Sequence, residues 1–456
     1  MSKSKVTIQV MNPGQLKDDV LMLGDAYVKQ WKIPVRELLT VKLGSEKQLI
    51  TLQSVPRYDG LRIPAVLARK FGLQNGQSLR LRYHAASQSL IMGPFIGILV
   101  SKDRPDNPEK PFGPISMFCK ELVEACQAQG AMACVFTPEH LEQSYEPLTA
   151  WVYHNRIWKK AQVPIPDVIN NRLTTRKSEN KPRVQQFMQE VKSKHGGAVF
   201  NEKFLDKTEV FDVLKKDSSI GRYLPESHAL RNFTTLKSMC AKYSVVFLKP
   251  ARGSLGKGII RVTKLNEHSY QAMYTTVNGT RRQSFNSLPK MFSTISGKLT
   301  NNRYQIQQGL SLMENGGRPV DFRALVQKNA TGKWTLTSIV ARTASNQHFV
   351  SNLARGGTLS TVKDAMIRSN LPSNAKQDMY SKLKLASLQI AQGIDTHIPA
   401  HFGELGIDLA VDHVGRVWLL EVNSKPSKND NTPLHDNKVR PSVRKIIEYS
   451  KYLTGF

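Results

Sequence analysis

The chain has 456 residues, with 65 Lys and Arg against 36 Asp and Glu and a formal net charge of +29. Hydrophobic residues make up 40% of it, which excludes a disordered chain and leaves room for two or three domains with cores of their own. The positive surplus attracts almost any polyanion, and it is spread along the chain, from Lys159-Lys160 through Arg176-Lys177 and Lys215-Lys216 to Arg281-Arg282, rather than gathered in a tail.

At the start, Met1-Ser2-Lys3-Ser4-Lys5 leads into alternating Val6, Ile8 and Val10 without a signal pattern. No apolar run approaches the ~20 residues of a membrane span, so the chain is expected to be made and kept in the cytosol. Residues 1–93 read as a small β-rich module. Strand-like runs occur at Leu49–Leu52, Ser78–Tyr83 and Ser89–Met92, a short helix covers Pro64–Phe71 before Gly72, and Asn75-Gly76 supplies a turn. A small barrel or a swapped-hairpin module fits this pattern. Gly93-Pro94 marks a boundary.

Residues 94–199 read as an α/β domain. Phe95–Val100 is a buried strand, Ile115, Phe118, Leu122 and Cys126 form one helical stripe, and Ala131–Phe136 is a second strand. Strand–helix–strand predicts a parallel sheet. Leu173–Gly197 is polar and basic, and either helical or loose. Cys119, Cys126, Cys134 and Cys240 lack metal-ligand spacing and read as buried reduced thiols. No internal repeat or low-complexity tract is apparent.

From Val245 an apolar strand runs to Lys249, a loop carries Gly253, Gly256, Lys257 and Gly258, and a second strand starts at Ile259. The glycines let backbone N–H groups close on a ligand, and the two lysines make a polyphosphate the natural guest. The loop is not a Walker A motif, because Gly258 stands where Ser or Thr should follow the lysine. Nor is it a Rossmann fingerprint, since a strand follows it. A glycine-rich hairpin on a basic surface is the plain alternative. Further on, Tyr304–Leu310 reads as a strand leaving this flap.

Arg318–Gln327 and Trp334–Arg342 alternate around the turn Asn329-Ala330-Thr331-Gly332. Pairing Lys328 with Lys333 places Asp321, Arg323 and Arg342 on one face. Two guanidiniums there call for an anion between them, although Asp321 could serve as a local counter-ion instead. Asn352, Arg355, Gly356 and Gly357 follow in a loop that either closes on phosphates or stays a surface loop. Met379, Leu383, Ala386 and Ile390 mark a core helix. In Gly403–Val411, Leu405, Ile407, Leu409 and Val411 share one side and Asp408 the other. If Asp412–Gly415 is the hairpin loop, Val411 pairs with Arg416, and Asp408, Glu421 and Asn423 share a face. Two carboxylates and an amide suit magnesium. An ordinary hairpin with its polar residues in solvent is the alternative.

Taken in order, Lys249-Pro250 with its glycine flap, Asp321-x-Arg323, Ala341-Arg342, Asn352 with Gly356-Gly357, Gly406-Ile407-Asp408 and Glu421-x-Asn423 resemble the YheC/YheD family of endospore-coat-associated ATP-grasp proteins. The likeness extends upstream to Pro164–Arg172 and Phe200-Asn201. It implies an α+β ATP-grasp fold, two subdomains clamping ATP over residues 200–456, with a pre-ATP-grasp α/β domain at 94–199 and the β-rich module before it. It further implies Lys249 and Lys207 on the ATP phosphates, under a loop holding Gly253, Ser254, Gly256, Lys257 and Gly258. Gln307 and Leu310 would hold adenine, Asp408, Glu421 and Asn423 magnesium, and Arg323 and Arg342 the γ-phosphate or an acceptor carboxylate. The hinge departs from many ATP-grasp ligases in offering Gln307, Gln308 and Gly309 where an acid binds the ribose.

Three functions are compatible with these residues. One is an ATP- and magnesium-dependent carboxylate–amine ligase working through an acylphosphate on carboxylate and amine substrates the sequence does not identify. Such chemistry needs no side-chain nucleophile. Another is a basic spore-coat or scaffold protein that keeps the fold without turning ATP over and adheres to an anionic spore or wall polymer. The third is a nucleic-acid-binding protein, for which the charge speaks. The absence of helix-turn-helix, zinc-finger and RNP-type signatures speaks against it.

Overall fold

In a barrel, successive residues of each strand must face inward and outward by turns, and the first 93 residues do this. The computed structural model describes residues 4–141, 145–251, 258–276, 279–299, 303–344, 357–428 and 439–456. The barrel comprises β1 (Lys5–Met11), β2 (Val20–Gly24), α1 (Asp25–Trp31), β3 (Leu38–Leu43), β4 (Glu46–Val55), β5 (Leu61–Pro64), α2 (Ala65–Phe71), β6 (Ser78–His84) and β7 (Ser89–Gly93). Its strands close in the order β1-β5-β2-β4-β3-β7-β6.

A repeat that the sequence reading missed underlies it. Leu21, Leu23, Tyr27, Val28, Ile33, Leu39 and Val41 are buried, and so are the residues forty further on, Leu61, Ile63, Leu67, Ala68, Leu73, Leu79 and Leu81. Lys32 and Gly72, also forty apart, both end their helices in the left-handed conformation. Strand–helix–strand units β2–α1–β3 and β5–α2–β6 are therefore two copies of one design. Apart from the lysine–arginine match Lys29/Arg69, few polar positions recur, which is why inspection of the sequence does not show it.

The second domain holds β8 (Phe95–Leu99), α3 (Ser116–Ala128), β9 (Met132–Phe136), β10 (Leu148–His154), β11 (Ile157–Val163), β12 (Val168–Asn171), α4 (Arg176–Glu179), α5 (Pro182–Ser193) and β13 (Ala198–Phe200). Strands β9, β8, β12 and β13 are parallel neighbours, with β10 and β11 added antiparallel. The stretch read as helical or loose contains α5, whose Val184, Phe187, Met188 and Val191 are buried. All four cysteines are free and buried, and burial pushes the Cys126 and Cys240 thiols up to about 12.

Two further sheets form the rest. The smaller combines β14 (Ser227–Leu230), β15 (Val245–Pro250), β16 (Ile260–Lys264), β17 (Tyr270–Thr276), β18 (Gly279–Phe285) and β19 (Tyr304–Gln308), in the order β14-β19-β15-β16-β17-β18. Helices α8 (Phe233–Lys242) and α9 (Leu288–Leu299) cover one face and share a core with Val246, Leu248, Val262 and Ile306. Before this sheet come α6 (Lys207–Leu214) and α7 (Ser218–Gly221). The larger sheet contains β21 (Arg318–Lys328), β22 (Trp334–Thr343), β23 (Thr358–Ser360), β24 (Glu404–Val411) and β25 (Val417–Asn423), with the short β20 (Glu314–Asn315) paired to β21. Helices α10 (Val362–Arg368), α11 (Ser373–Lys376) and α12 (Met379–His397) lie between its strands in sequence. Met379, Leu383, Ala386 and Ile390 of α12 bury against Ile407, Leu409 and Leu419. The final helix, α13 (Pro441–Thr454), returns to the second domain, where Val443, Ile446 and Ile447 join the core of α3 and β8. Among the described residues no helix is long and apolar enough to cross a membrane.

Candidate functional site between the two sheets

The large sheet owes its polar face to two hairpins built alike. In β24–β25 the observed pair nearest the turn is Val411↔Val417, one residue later than the pairing predicted from sequence. That slip alone would set Leu420 opposite Asp408 and turn Glu421 away. A bulge at Leu420 restores the parity, so Asp408 faces Glu421 and Gly406 faces Asn423. In β21–β22 the same two events occur. Lys328 pairs with Trp334 rather than Lys333, and an irregularity beside Leu325 and Val326 brings Asp321 opposite Arg342. Asp321, Arg323, Arg342, Asp408, Glu421 and Asn423 thus share one face, with the core on the other.

Their charges interlock. Arg323 grips Asp408 with two nitrogens, Nη2 donating to Oδ2 at 2.8 Å. Arg342 donates from Nε to Asp321 Oδ1 at 2.5 Å and reaches Asp408 Oδ2 with Nη2 at 3.1 Å. Burial favours the neutral form of the Asp408 carboxyl, but the two guanidiniums outweigh it and hold the group below the usual carboxylate range. Burial likewise opposes the Arg342 charge, and Asp408 and Asp321 more than offset it. Glu421 lies 3.2 Å from Nζ of Lys207, the first residue of α6. Asp206 caps that helix by accepting the N–H groups of Thr208 and Glu209, and the Lys207 N–H donates to Ala251 O at 3.2 Å. The lysine is thereby fixed between the two sheets.

The small sheet presents its uncovered face to this array. Strand pairing aligns Lys249 with Gln305 and Phe247 with Gln307, all on the side away from α8 and α9. Lys249 Nζ donates to Gln307 Oε1. Its ammonium is buried, which pushes its pKa down to about 8; nearby Lys207 acts in the same direction, while Glu421 and Asp408 oppose it. Those three residues stand on the large-sheet side, so Lys249 looks across the cleft. Gln307 is 2% exposed, and its Nε2, a donor, has no partner in the protein. A buried donor left without an acceptor costs roughly 1–3 kcal/mol, which a bound acceptor would return. Leu310 is half-buried just past β19, where the chain crosses to the large sheet. Gly258 adopts φ +73 and its carbonyl accepts from Tyr304 Oη at 3.2 Å. Gly253, Ser254, Gly256, Lys257, Asn352 and Gly356 lie outside the described residues.

Two carboxylates opposite each other with an amide beside them are the hard oxygen set that magnesium takes, and cations (Arg323, Arg342, Lys207) already gather there. Among the described residues no group of three or more His, Cys, Asp or Glu is placed to hold a metal ion, here or elsewhere; this set has two carboxylates and an amide.

Sequence inspection missed a buried charge cluster at the far end of this same face. Glu404, fully buried, accepts from Arg172 Nη1 at 2.5 Å and Gln327 Nε2 at 3.2 Å and contacts Lys428 Nζ. Burial would neutralise its carboxyl, yet Lys428 and Arg172 keep it below the ordinary range. Arg172 also donates to Pro426 O at 2.5 Å. This cluster ties β12 of the second domain to β24 and to the segment just after Asn423. The signal was available, since Glu404 stands on the Asp408 side of an otherwise apolar strand.

The YheC/D-like ATP-grasp family matches the chain over residues 196–453. Endospore coat-associated protein YheD of Bacillus subtilis (strain 168) is 28% identical over 373 residues, covering 80% of this chain and 79% of its own length. Endospore coat-associated protein YheC of the same strain is 24% identical over 316 residues, 68% and 85% respectively. Of solved structures, D-cycloserine synthetase DcsG overlays with a TM-score of 0.47 at 12% identity, covering 78% of this chain and 99% of that one. D-alanyl-alanine synthetase A of Vibrio cholerae gives 0.46 at 12% identity, with 80% and 98% covered. The family match takes in more than half of the chain, including both sheets of the cleft, and the chain therefore belongs to the YheC/D-like ATP-grasp family.

Proposed function

We propose that this chain is an ATP- and magnesium-dependent carboxylate–amine ligase working through an acylphosphate. The observation that carries the reading is the meeting of Lys249 from the small sheet with Lys207, Glu421 and Asp408 from the large-sheet side. ATP would give its γ-phosphoryl to a substrate carboxylate, the β–γ P–O bond breaking and ADP leaving; an amine would then form the C–N bond as the C–O bond to phosphate breaks, with the amine proton lost to solvent. The residues do the remaining work. Lys249 and Lys207 bind phosphate oxygens, and Gln307 and Leu310 hold the adenine, with the unpartnered Gln307 Nε2 as donor. Asp408, Glu421 and Asn423 hold the magnesium. Arg323 and Arg342, kept charged by their carboxylate neighbours, stabilise the negative charge that builds up during transfer. YheD and YheC are named for the endospore coat, and we extend that association to this chain.

One observation favours a second reading, a scaffold that has lost turnover. Gln308, standing where a ribose-binding acid is expected, is already engaged: its Oε1 accepts from Glu226 N at 2.7 Å and its N–H donates to Glu226 O at 2.9 Å. Purified protein with magnesium-ATP and pools of amino acids, peptides and wall fragments separates the two. The ligase reading expects acceptor-dependent ADP together with a product of higher mass. A thermal shift from magnesium-ATP without ADP from any pool leaves the scaffold.

A further inference from the structure

The positive charge is less evenly spread than the sequence reading holds. Residues 227–308, which make up the small sheet and its two helices, contain thirteen Lys and Arg and a single acid, Glu267, although the chain has 36 acids. A triphosphate in the cleft is met by Lys249 and Lys207, and does not account for the cations further out on the same face. The pairings Gln307↔Phe247, Phe247↔Arg261, Arg261↔Met273 and Met273↔Arg282 run a straight row across β19, β15, β16, β17 and β18. Residues so paired point the same way, so Arg261 and Arg282 share the cleft face with Lys249. Arg282 lies three strands beyond the Lys249 strand, roughly 14 Å away.

These two arginines are poorly matched to an empty surface. Burial pushes the Arg261 pKa down and the neighbouring Arg282 charge pushes it further. Arg261 Nε is buried without a hydrogen-bond partner. The rest of the row is neutral, and among the described residues no carboxylate shares this face. Like charges held on one face with a single strand between them, one of them partly desolvated, favour an anion between them.

We infer that the acceptor of this enzyme is a carboxylate-rich polypeptide, lying across the Arg261–Arg282 face with one carboxylate extended to the ATP site. The inference rests on the ligase reading, because activation as an acylphosphate requires a carboxylate and a nucleic acid has none. The row also carries one aromatic ring, Phe247, where single-stranded nucleic acids are held by stacking on successive rings.

Fluorescence anisotropy with labelled oligoglutamate, oligoglutamine and an oligothymidylate of equal charge, at ~0.15 M salt, tests this directly. Oligoglutamate should bind at least about tenfold more tightly than either of the others. The double variant Arg261→Gln/Arg282→Gln should lose most of that preference while keeping the magnesium-ATP thermal shift. Arg282→Gln alone, at an exposed position, should lose part of it without risk to folding. Lys237→Gln/Lys290→Gln, on the helix side, removes the same charge and should leave binding nearly unchanged. Equal losses from the two double variants, or oligothymidylate binding as tightly as oligoglutamate, would overturn the inference. Loss of the wild-type magnesium-ATP shift would instead sink the ligase reading, and is read in a separate experiment.

Discussion

Lys249 is the residue on which the nucleotide reading is most exposed to measurement. Its buried ammonium has a pKa of about 8, so near that pH the ligand-free protein holds it partly neutral. Phosphates favour the charged form, and binding should take up a proton. Affinity for magnesium-ATP is expected to fall above pH 8, by up to about tenfold per unit. Calorimetry in two buffers of different ionisation enthalpy should register proton uptake between pH 7 and 9, and Lys249→Gln should abolish it. Uptake unchanged in that variant would remove Lys249 from the phosphate site. Glu421 and Asn423 are tested by changing both to alanine. The variant should keep its fold and lose the magnesium-dependent part of the ATP thermal shift, since a ligand stabilises only the state it binds. An undiminished shift would move the metal elsewhere.

At the scale of elements, the hairpins show how much of the site was legible beforehand. Alternation alone placed Asp408, Glu421 and Asn423 together, and likewise Asp321, Arg323 and Arg342. Both pairings were off near the turn, and both were rescued by a bulge that no residue pattern announces. What strand alternation cannot supply is pairing across a face. Arg323 and Arg342 read as cations that either await an anion or have Asp321 as counter-ion; Asp321 does meet Arg342, and what alternation did not supply is Asp408 as a carboxylate shared by both. Two substitutions probe the framework behind them. Arg172→Met takes away one of the two cations that meet buried Glu404, which keeps Lys428, and leaves Pro426 O without its donor, and should cost about 1–3 kcal/mol in urea unfolding. Gly393 lies in the middle of α12, and a Cβ there would meet Ile220 Cδ1 at 2.3 Å and Leu214 Cδ2 at 2.9 Å. Helix propensity alone would make Gly393→Ala stabilising by up to about 1 kcal/mol. Overpacking against α6 and α7 should reverse the sign, to a loss of about 1–3 kcal/mol. A stabilised variant would show that those helices yield.

Over the whole molecule, the barrel and the second domain share one buried core, in which Phe71 and Leu81 join Met132 and Val163, and specific polar contacts are added to it. The turn between β3 and β4 reaches the second domain at Gly44, where φ is +56 and a Cβ would meet Ile165 O at 2.3 Å. Beside it Asp167 accepts the Phe95 N–H at 3.0 Å. Burial raises the Asp167 carboxyl to about 6, although the N–H groups of Phe95 and Gly44 and the charges of Lys42 and Arg82 resist. A raised carboxyl costs nothing while protonated in both states, below about pH 4. As pH climbs through 6, the folded state must carry an ion it disfavours, and stability falls by up to about 3 kcal/mol. Asp167→Asn keeps an acceptor for Phe95 and should gain on the wild type at pH 7 relative to pH 4.5. The same difference at both pH values would argue against a raised carboxyl. The docking of α13 reaches further than packing. Its Val443, Ile446 and Ile447 complete a core begun by Ile96 and Phe118, so during synthesis one side of the first α/β sheet stays only partly covered, by α3, until residues 441–454 have been made. Until then the part of that apolar sheet face awaiting α13 is what a chaperone would meet.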